Sequence, residues 1–418
     1  MEREALDSTD TNTGAETRLL QRDFAGGRRA VDAVCLAAVI VCAAAVAYLA
    51  ARPFIGHIPD QNAFYSADTG RVFAYLSDKT EGYYRMKVHP LYGWLCIFYQ
   101  FVVMKMMHVP PWLGIPALSG AIGVACCALL YAVMRRLEIA PLIAASFTLL
   151  FCSSATYVFW SSLPECHMLG GASVLLAILL MTGKDAKTPR GRELRSTAAL
   201  MAGFSMVVTN GMIWVLKQID FDALRRGDFS RFVKLNAAKA KTLVKTALWA
   251  VALTYVAWSP EWPILGKRVG LPFNFLEERN FVEIDRHNSF LSLHVFGLTP
   301  PQIPLDWLVP ALSIAATLAS LAVLKTRHLY IPLFALFGLV LHTIYSGDSA
   351  FLFSPDYMPL FIVTLALIAK EELPGWIAGV VLIAAAALLF MNLVDWQVQM
   401  QALVATGQLR TFDTVTLH

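Results

Sequence analysis

The sequence predicts an all-α polytopic membrane protein, and three observations carry that expectation. Of 418 residues, 57% are hydrophobic and 15% charged, with a mean hydropathy of +0.56, an apolar excess foreign to soluble domains. The apolar residues fall in runs mostly long enough to cross a hydrocarbon layer of roughly 30 Å as helices. The bases between those runs collect in alternate loops, the pattern of cytoplasmic Lys and Arg.

Taken in order, residues 1–29 read as a polar, disordered cytoplasmic tail ending at Arg28 and Arg29. A transmembrane domain over 30–394 follows. The first run, 33–51, lies too far inside the chain for a cleavable signal and reads as a retained span. It leads into an outer loop, 51–112. Within that loop the aromatic stretch 89–107 (HPLYGWLCIFYQFVVMKMM) starts at the outer face, and 113–134 must also start there, because it ends on Arg135 and Arg136. Segment 89–107 is therefore expected to dip into the outer leaflet or lie along the interface. Runs 140–159 and 166–183 are joined by an outer loop, 159–166.

Segment 196–216 sits between two basic stretches: 184–195, with five bases and two acids, and 217–245, with eight bases and three acids. Gly203 and the Thr209–Gly211 sequence TNG interrupt it. A hairpin of two short or re-entrant helices fits both flanks, since irregular backbone at membrane depth must be buried in protein or line a cavity. A single crossing with one violated basic turn is the alternative. Residues 217–245 read as an amphipathic surface helix or a plain basic loop. After a shorter apolar run at 246–258 come outer loops 259–305 and 346–357, with spans at 307–324, 329–345, 358–369 and 375–394, and a short extracytoplasmic tail at 395–418. The tally is about nine clear crossings plus the hairpin, about eleven membrane helices. The seven cysteines lie almost all in apolar runs without metal-ligand spacing and read as small core residues, not a disulfide framework.

Chemistry concentrates in Asp60–Tyr92, where four acids, four bases and His89 interrupt the hydrocarbon. The crossings hold almost no ionisable groups, which argues against an ion-coupled transporter. Each outer loop carries acids: Asp60, Asp68, Asp78 and Glu81, then Glu165, then Glu277, Glu278, Glu283 and Asp285, then Asp348 and Asp356. Acids beside bases at a membrane surface suit a lipid-linked phosphate, the bases holding the phosphate and an acid moving a proton. Nothing in the charge pattern points to nucleic acid.

The order of these features resembles the GT-C class of membrane glycosyltransferases, with a layout similar to protein mannosyltransferases, aminoarabinose transferases and oligosaccharyltransferase catalytic subunits. The likeness rests on an early Asp in the first outer loop, HPLY opening an aromatic interfacial helix, a span ending in RRL, and YVFWSSLPECH before the next span. It covers 55–183, with a weaker echo at 345–359.

The resemblance implies inverting sugar transfer from a polyprenyl-phosphate donor to a glycan, lipid or protein acceptor at the outer face of an inner membrane. It gives Asp68 as the base, with Asp60 as its rival. The residue chemistry adds Arg85 and Lys87 as a phosphate clamp, Arg71 and His89 as helpers, and Glu165, Asp78 and Asp348 as further polar partners. Each position has a plainer reading: Asp68 as a helix N-cap, Arg85 and Lys87 as snorkelling bases, His89 and Glu165 as helix starts, Asp348 and Asp356 as turn residues. No paired-acid motif demands a metal; Mg²⁺ or Mn²⁺ are the ions that scattered carboxylates would hold. A transporter or flippase of a lipid-linked glycan or small solute, and a non-catalytic scaffold, are the competing expectations.

Overall fold

The computed structural model describes residues 10–59, 69–77, 89, 92–183, 188–258, 304–345, 354–405 and 409–411. Those residues are helical apart from turns and one short strand pair. Helix α1 (Asp10–Ala51) is followed by strand β1 (His57–Pro59) and helix α2 (Thr69–Ser77). Helix α3 (Tyr92–Phe98) runs on as π-helical turns over Tyr99–Met106. Then come α4 (Pro111–Arg136), α5 (Pro141–Ser153), α6 (Ala155–Trp160) and α7 (His167–Thr182). Helices α8 (Pro189–Met206), α9 (Met212–Gln218), α10 (Phe221–Arg225) and α11 (Phe229–Trp258) form the middle of the chain. Helices α12 (Pro304–Val323), α13 (Tyr330–Tyr345), α14 (Ser354–Glu372) and α15 (Ile377–Ala405), with strand β2 (Leu409–Thr411), complete it.

Helix starts follow local chemistry. Proline takes the first helical position of α4, α5 and α8, where its missing N–H costs nothing. The Thr188 hydroxyl accepts from Gly191 N at 3.1 Å, and Asp220 Oδ1 accepts from Asp222 N at 3.2 Å, both satisfying otherwise orphaned donors.

Among the described residues, three helical stretches are long and apolar enough to cross a membrane: Arg29–Phe54, Pro111–Arg136 and Ile377–Ala405. Pro141–Ser153, His167–Thr182, Ile314–Val323 and Tyr330–Leu341 are apolar but shorter. The 140–159 run is not one rod, because Ser154 is extended and its hydroxyl caps α6 through Tyr157 N. Large apolar side chains stand outward along α1 (Val34, Val41, Tyr48) and α15 (Ile383, Phe390, Val398), a surface that lipid can cover and water cannot cheaply.

The two ends of the bundle differ in charge. At one end Arg135 forks onto Asp32, with Nε 2.5 Å from Oδ1 and Nη2 2.8 Å from Oδ2. Nearby bases cap helix carbonyls: Arg136 donates to Thr182 O, Arg195 to Gly183 O, and Lys370 to Leu137 O, cations meeting the negative ends of helices. The opposite end holds the starts of α7 and α14.

The all-α expectation needs one amendment. β1 and β2 pair antiparallel, His57 opposite Thr411 and Pro59 opposite Leu409. Extended backbone after α1 has no helical bonds of its own, and pairing supplies them. The carboxyl-terminal tail is thereby tied beside the end of α1, where Trp396 Nε1 also donates to Ala50 O at 2.8 Å.

Candidate functional site

Segment 196–216 folds back on itself. The chain leaves α8 at Val207, turns through Val208–Gly211, and returns as α9. Trp214 Nε1 reaches Ser196 Oγ at 2.9 Å, which fixes the two limbs side by side. Gly203 makes room, since a Cβ there would meet Asn210 O at 2.9 Å. The tip of this hairpin points at the starts of α7 and α14.

Asn210 is the link. Its Nδ2 donates to Asp356 Oδ1 at 2.9 Å and lies 3.3 Å from Gly170 O. Asp356, in the first turn of α14, therefore lies against α7 and the hairpin at once. The close approach depends on Gly170 and Gly171: a Cβ on the first would collide with Asp356 Oδ1, and on the second with Pro355 O. Thr156 Oγ1 adds a 2.9 Å bond to Ser354 Oγ.

Around Asp356 sit other buried polar groups. His167 places Nδ1 4.0 Å from Asp356 Oδ2 and Nε2 3.8 Å from Glu165 Oε2. Glu165 Oε2 accepts from Cys166 N at 3.0 Å, a carboxylate at the positive end of α7. His89, just ahead of α3, has Nδ1 2.7 Å from Met206 O and Nε2 3.3 Å from Cys166 Sγ. With Nδ1–H donating to the carbonyl, Nε2 is left as an acceptor facing the thiol. Glu165 is 5% exposed, His89 4%, and His167 and Asp356 1% each, so these charges and dipoles need partners inside the protein. Glu165, Cys166 and His167 each offer a donor atom, and the three atoms lie within 4.8 Å of one another.

Helix α2 and the start of α3 close over this cluster. Val72, Phe73, Tyr75, Leu76, Tyr92, Cys96 and Cys166 belong to one apolar group. Thus α2 and the start of α3 are anchored beside Cys166.

Sequence reasoning singled out Glu165 and His89, and both lie in the cluster, joined through Cys166. Every residue of the 159–166 stretch is buried. His89 faces Cys166 and Met206 O from a buried position. Asp60, Asp68, Asp78, Arg85, Lys87 and Asp348 lie outside the described residues. The backbone of Arg71 is in the first turn of α2, and its side chain is outside them too.

His167, Cys166, Asn210 and Asp356 were not among the expected site residues. Cys166 had been grouped with core cysteines and Asp356 with turns, yet both take part in the polar cluster. The available signal was the clustering of Glu165, Cys166 and His167 in consecutive positions. Set beside known proteins, the chain matches no family model and no curated protein.

Proposed function

We propose that this chain transfers a sugar from a polyprenyl-phosphate donor to an acceptor at the extracytoplasmic membrane face, inverting the anomeric carbon. The observation that carries the reading is Asp356. Its Oδ1 is held by Asn210, while Oδ2 makes no hydrogen bond to any described residue. Such a half-anchored carboxylate, at the bundle end carrying α2 and the HPLY segment, can orient an acceptor hydroxyl. In this reading Asp68, one residue before α2, takes the hydroxyl proton, with Asp60 as its rival. The acceptor oxygen bonds to the anomeric carbon as the carbon–oxygen bond to phosphate breaks. Arg85, Lys87 and Arg71 hold the departing polyprenyl phosphate, whose charge needs cations more than a proton.

The test is incubation of the purified protein with a panel of polyprenyl-phosphate sugars, followed by detection of donor hydrolysis or a new glycosidic bond. Asp68→Asn is expected to lower transfer by at least ~100-fold, the scale of a lost general base, with insertion unchanged. Full transfer by Asp60→Asn, Asp68→Asn and the double variant would remove the assigned base. A second reading draws on the Glu165–His167–Asp356 series, whose 3.8 and 4.0 Å spacings also suit a proton relay in a transporter. Proton-dependent solute flux in vesicles, without any new glycosidic bond, would favour it.

A further inference from the structure

We propose that the cleft between α9, α10, α11 and the Thr326–His328 turn holds the phosphate of an anionic phospholipid, gripped by Lys217 and Arg327. The cleft has a volume of about 220 Å³, and its lining includes Lys217, Lys239, Arg327 and Tyr330, with Asp220 and Asp222 as its acids.

Both acids are already engaged. Asp220 lies 4.0 Å from Lys239 Nζ and accepts from Asp222 N, while Asp222 Oδ1 accepts from the Thr326 hydroxyl. That offsets Lys239 and leaves the other two bases. Lys217, half-buried, donates to Arg327 O at 3.2 Å and stands 4.4 Å over the centre of the Tyr330 ring. Arg327 Nε donates to His328 Nε2. These partners are uncharged, and among the described residues no carboxylate pairs with either cation. Burial, then the charges of Arg327, Lys217, Lys370 and Lys325, hold the adjacent His328 neutral, so the field beside the cleft is positive. Two cations kept together without a counter-charge are costly, and an anion between them removes that cost. Phosphate is the anion these donors suit, a guanidinium fork beside a compact ammonium charge.

The surroundings point to lipid as its source. Arg225 of α10 donates to Leu321 O, Ala322 O and Leu324 O, which sets the end of α12 beside the cleft. Leu318 and Val323 on α12, and Phe229 and Val233 on α11, are each at least 45% exposed. Acyl chains cover such a surface, and a free phosphate has no use for it. Basic pockets between membrane helices hold anionic headgroups by this combination. The site is independent of sugar transfer, since none of its residues takes part in the mechanism above.

The test follows thermal unfolding of the full-length protein in a neutral detergent as dioctanoyl phosphatidylglycerol is added. A ligand of the folded state raises the melting temperature saturably, and that rise is expected here. Dioctanoyl phosphatidylcholine, with the same phosphate but no net charge, and inorganic phosphate are expected to give none at the same concentrations. Lys217→Gln and Arg327→Gln should each raise the half-saturating concentration about tenfold, the loss of one charge-assisted hydrogen bond. Arg327 is exposed, so its variant keeps the fold even where Lys217→Gln loosens it. Arg190→Gln, at an exposed base outside the cleft, should leave the titration unchanged. Equal responses to the two lipids, or equal weakening by Arg190→Gln and Arg327→Gln, overturn the proposal in favour of diffuse surface charge. A rise reproduced by inorganic phosphate overturns the lipid assignment. Transfer activity is read separately, so loss of either reading leaves the other standing.

Discussion

At Gly170 a single hydrogen atom decides whether α14 can approach α7. A Cβ would collide with Asp356 Oδ1, part of the polar cluster, and stand 2.8 Å from Val207 Cγ2, at the hairpin turn. Gly170→Ala gains helix propensity of roughly 1 kcal/mol, but overpacking against backbone-anchored neighbours costs about 1–3 kcal/mol. The expected outcome is a lower melting temperature in detergent. Gly379→Ala is the matched control, since nothing lies within 4 Å of its added methyl, and it should melt at or above wild type. A Gly170→Ala protein as stable as Gly379→Ala would show that the approach is loose. At this scale the sequence revealed some of the site. Glu165 was legible as a lone acid after proline in an apolar stretch, whereas Asn210 was marked only as part of the TNG break. Asp356 was not: SPD reads locally as a turn, and its partner Asn210 is 146 residues away, a pairing that no local pattern encodes.

The short helical turn Thr326–His328, between α12 and α13, carries an acid-sensitive contact. His328 Nε2 accepts from Arg327 Nε at 3.0 Å, a bond only neutral imidazole can make. Burial, then the charges of Arg327, Lys217, Lys370 and Lys325, push its pKa down to about 4. The unfolded chain binds this proton near pH 6.5, so the unfolded state holds more protons between the two values and stability rises with pH across that window. The contribution is complete above about pH 6.5 and lost as pH falls toward 4. Melting temperature should therefore drop between about pH 7 and about pH 5, and His328→Gln, which accepts a hydrogen bond without titrating, should flatten the drop. An unchanged slope in the variant would assign the acid sensitivity elsewhere. Element boundaries here were partly legible. Gly203 and TNG marked the break between α8 and α9 because they disfavour a continuous helix. The π-helical turns over Tyr99–Met106 and the break at Ser154 were not, since both answer to packing: Tyr99 is buried beside Ile115, and Ser154 caps α6.

For the molecule as a whole, the packing separates two kinds of polar group. Arg136, Arg195 and Lys370 cap helix carbonyls at one end, where cations meet the negative ends of helices, while Glu165, His167 and Asp356 meet at the other. Helix continuity was less legible than apolar content, because an apolar run of sufficient length can be broken by one capping serine, as at Ser154. The decisive element is the stretch from α3 through Met106. Its outward apolar side chains, including Phe98, Phe101 and Met106, could contact lipid along an interface or through a crossing. With the amino terminus cytoplasmic, a crossing would put Met107, which follows it, in the cytoplasm and Arg226 outside. A re-entrant or interfacial path puts Met107 outside and Arg226 in the cytoplasm. Both residues are exposed, so the variants Met107→Cys and Arg226→Cys, with Cys35 and Cys42 replaced by serine and the other native cysteines buried, can be read with a membrane-impermeant maleimide. Met107→Cys is expected to label in intact cells, and Arg226→Cys only after the membrane is opened. The reverse pattern, Arg226→Cys labelling in intact cells and Met107→Cys only after the membrane is opened, would make 92–106 a true span and invert every helix that follows it, carrying Asp356 and Glu165 to the cytoplasmic face and the proposed sugar transfer away from its lipid-linked donor.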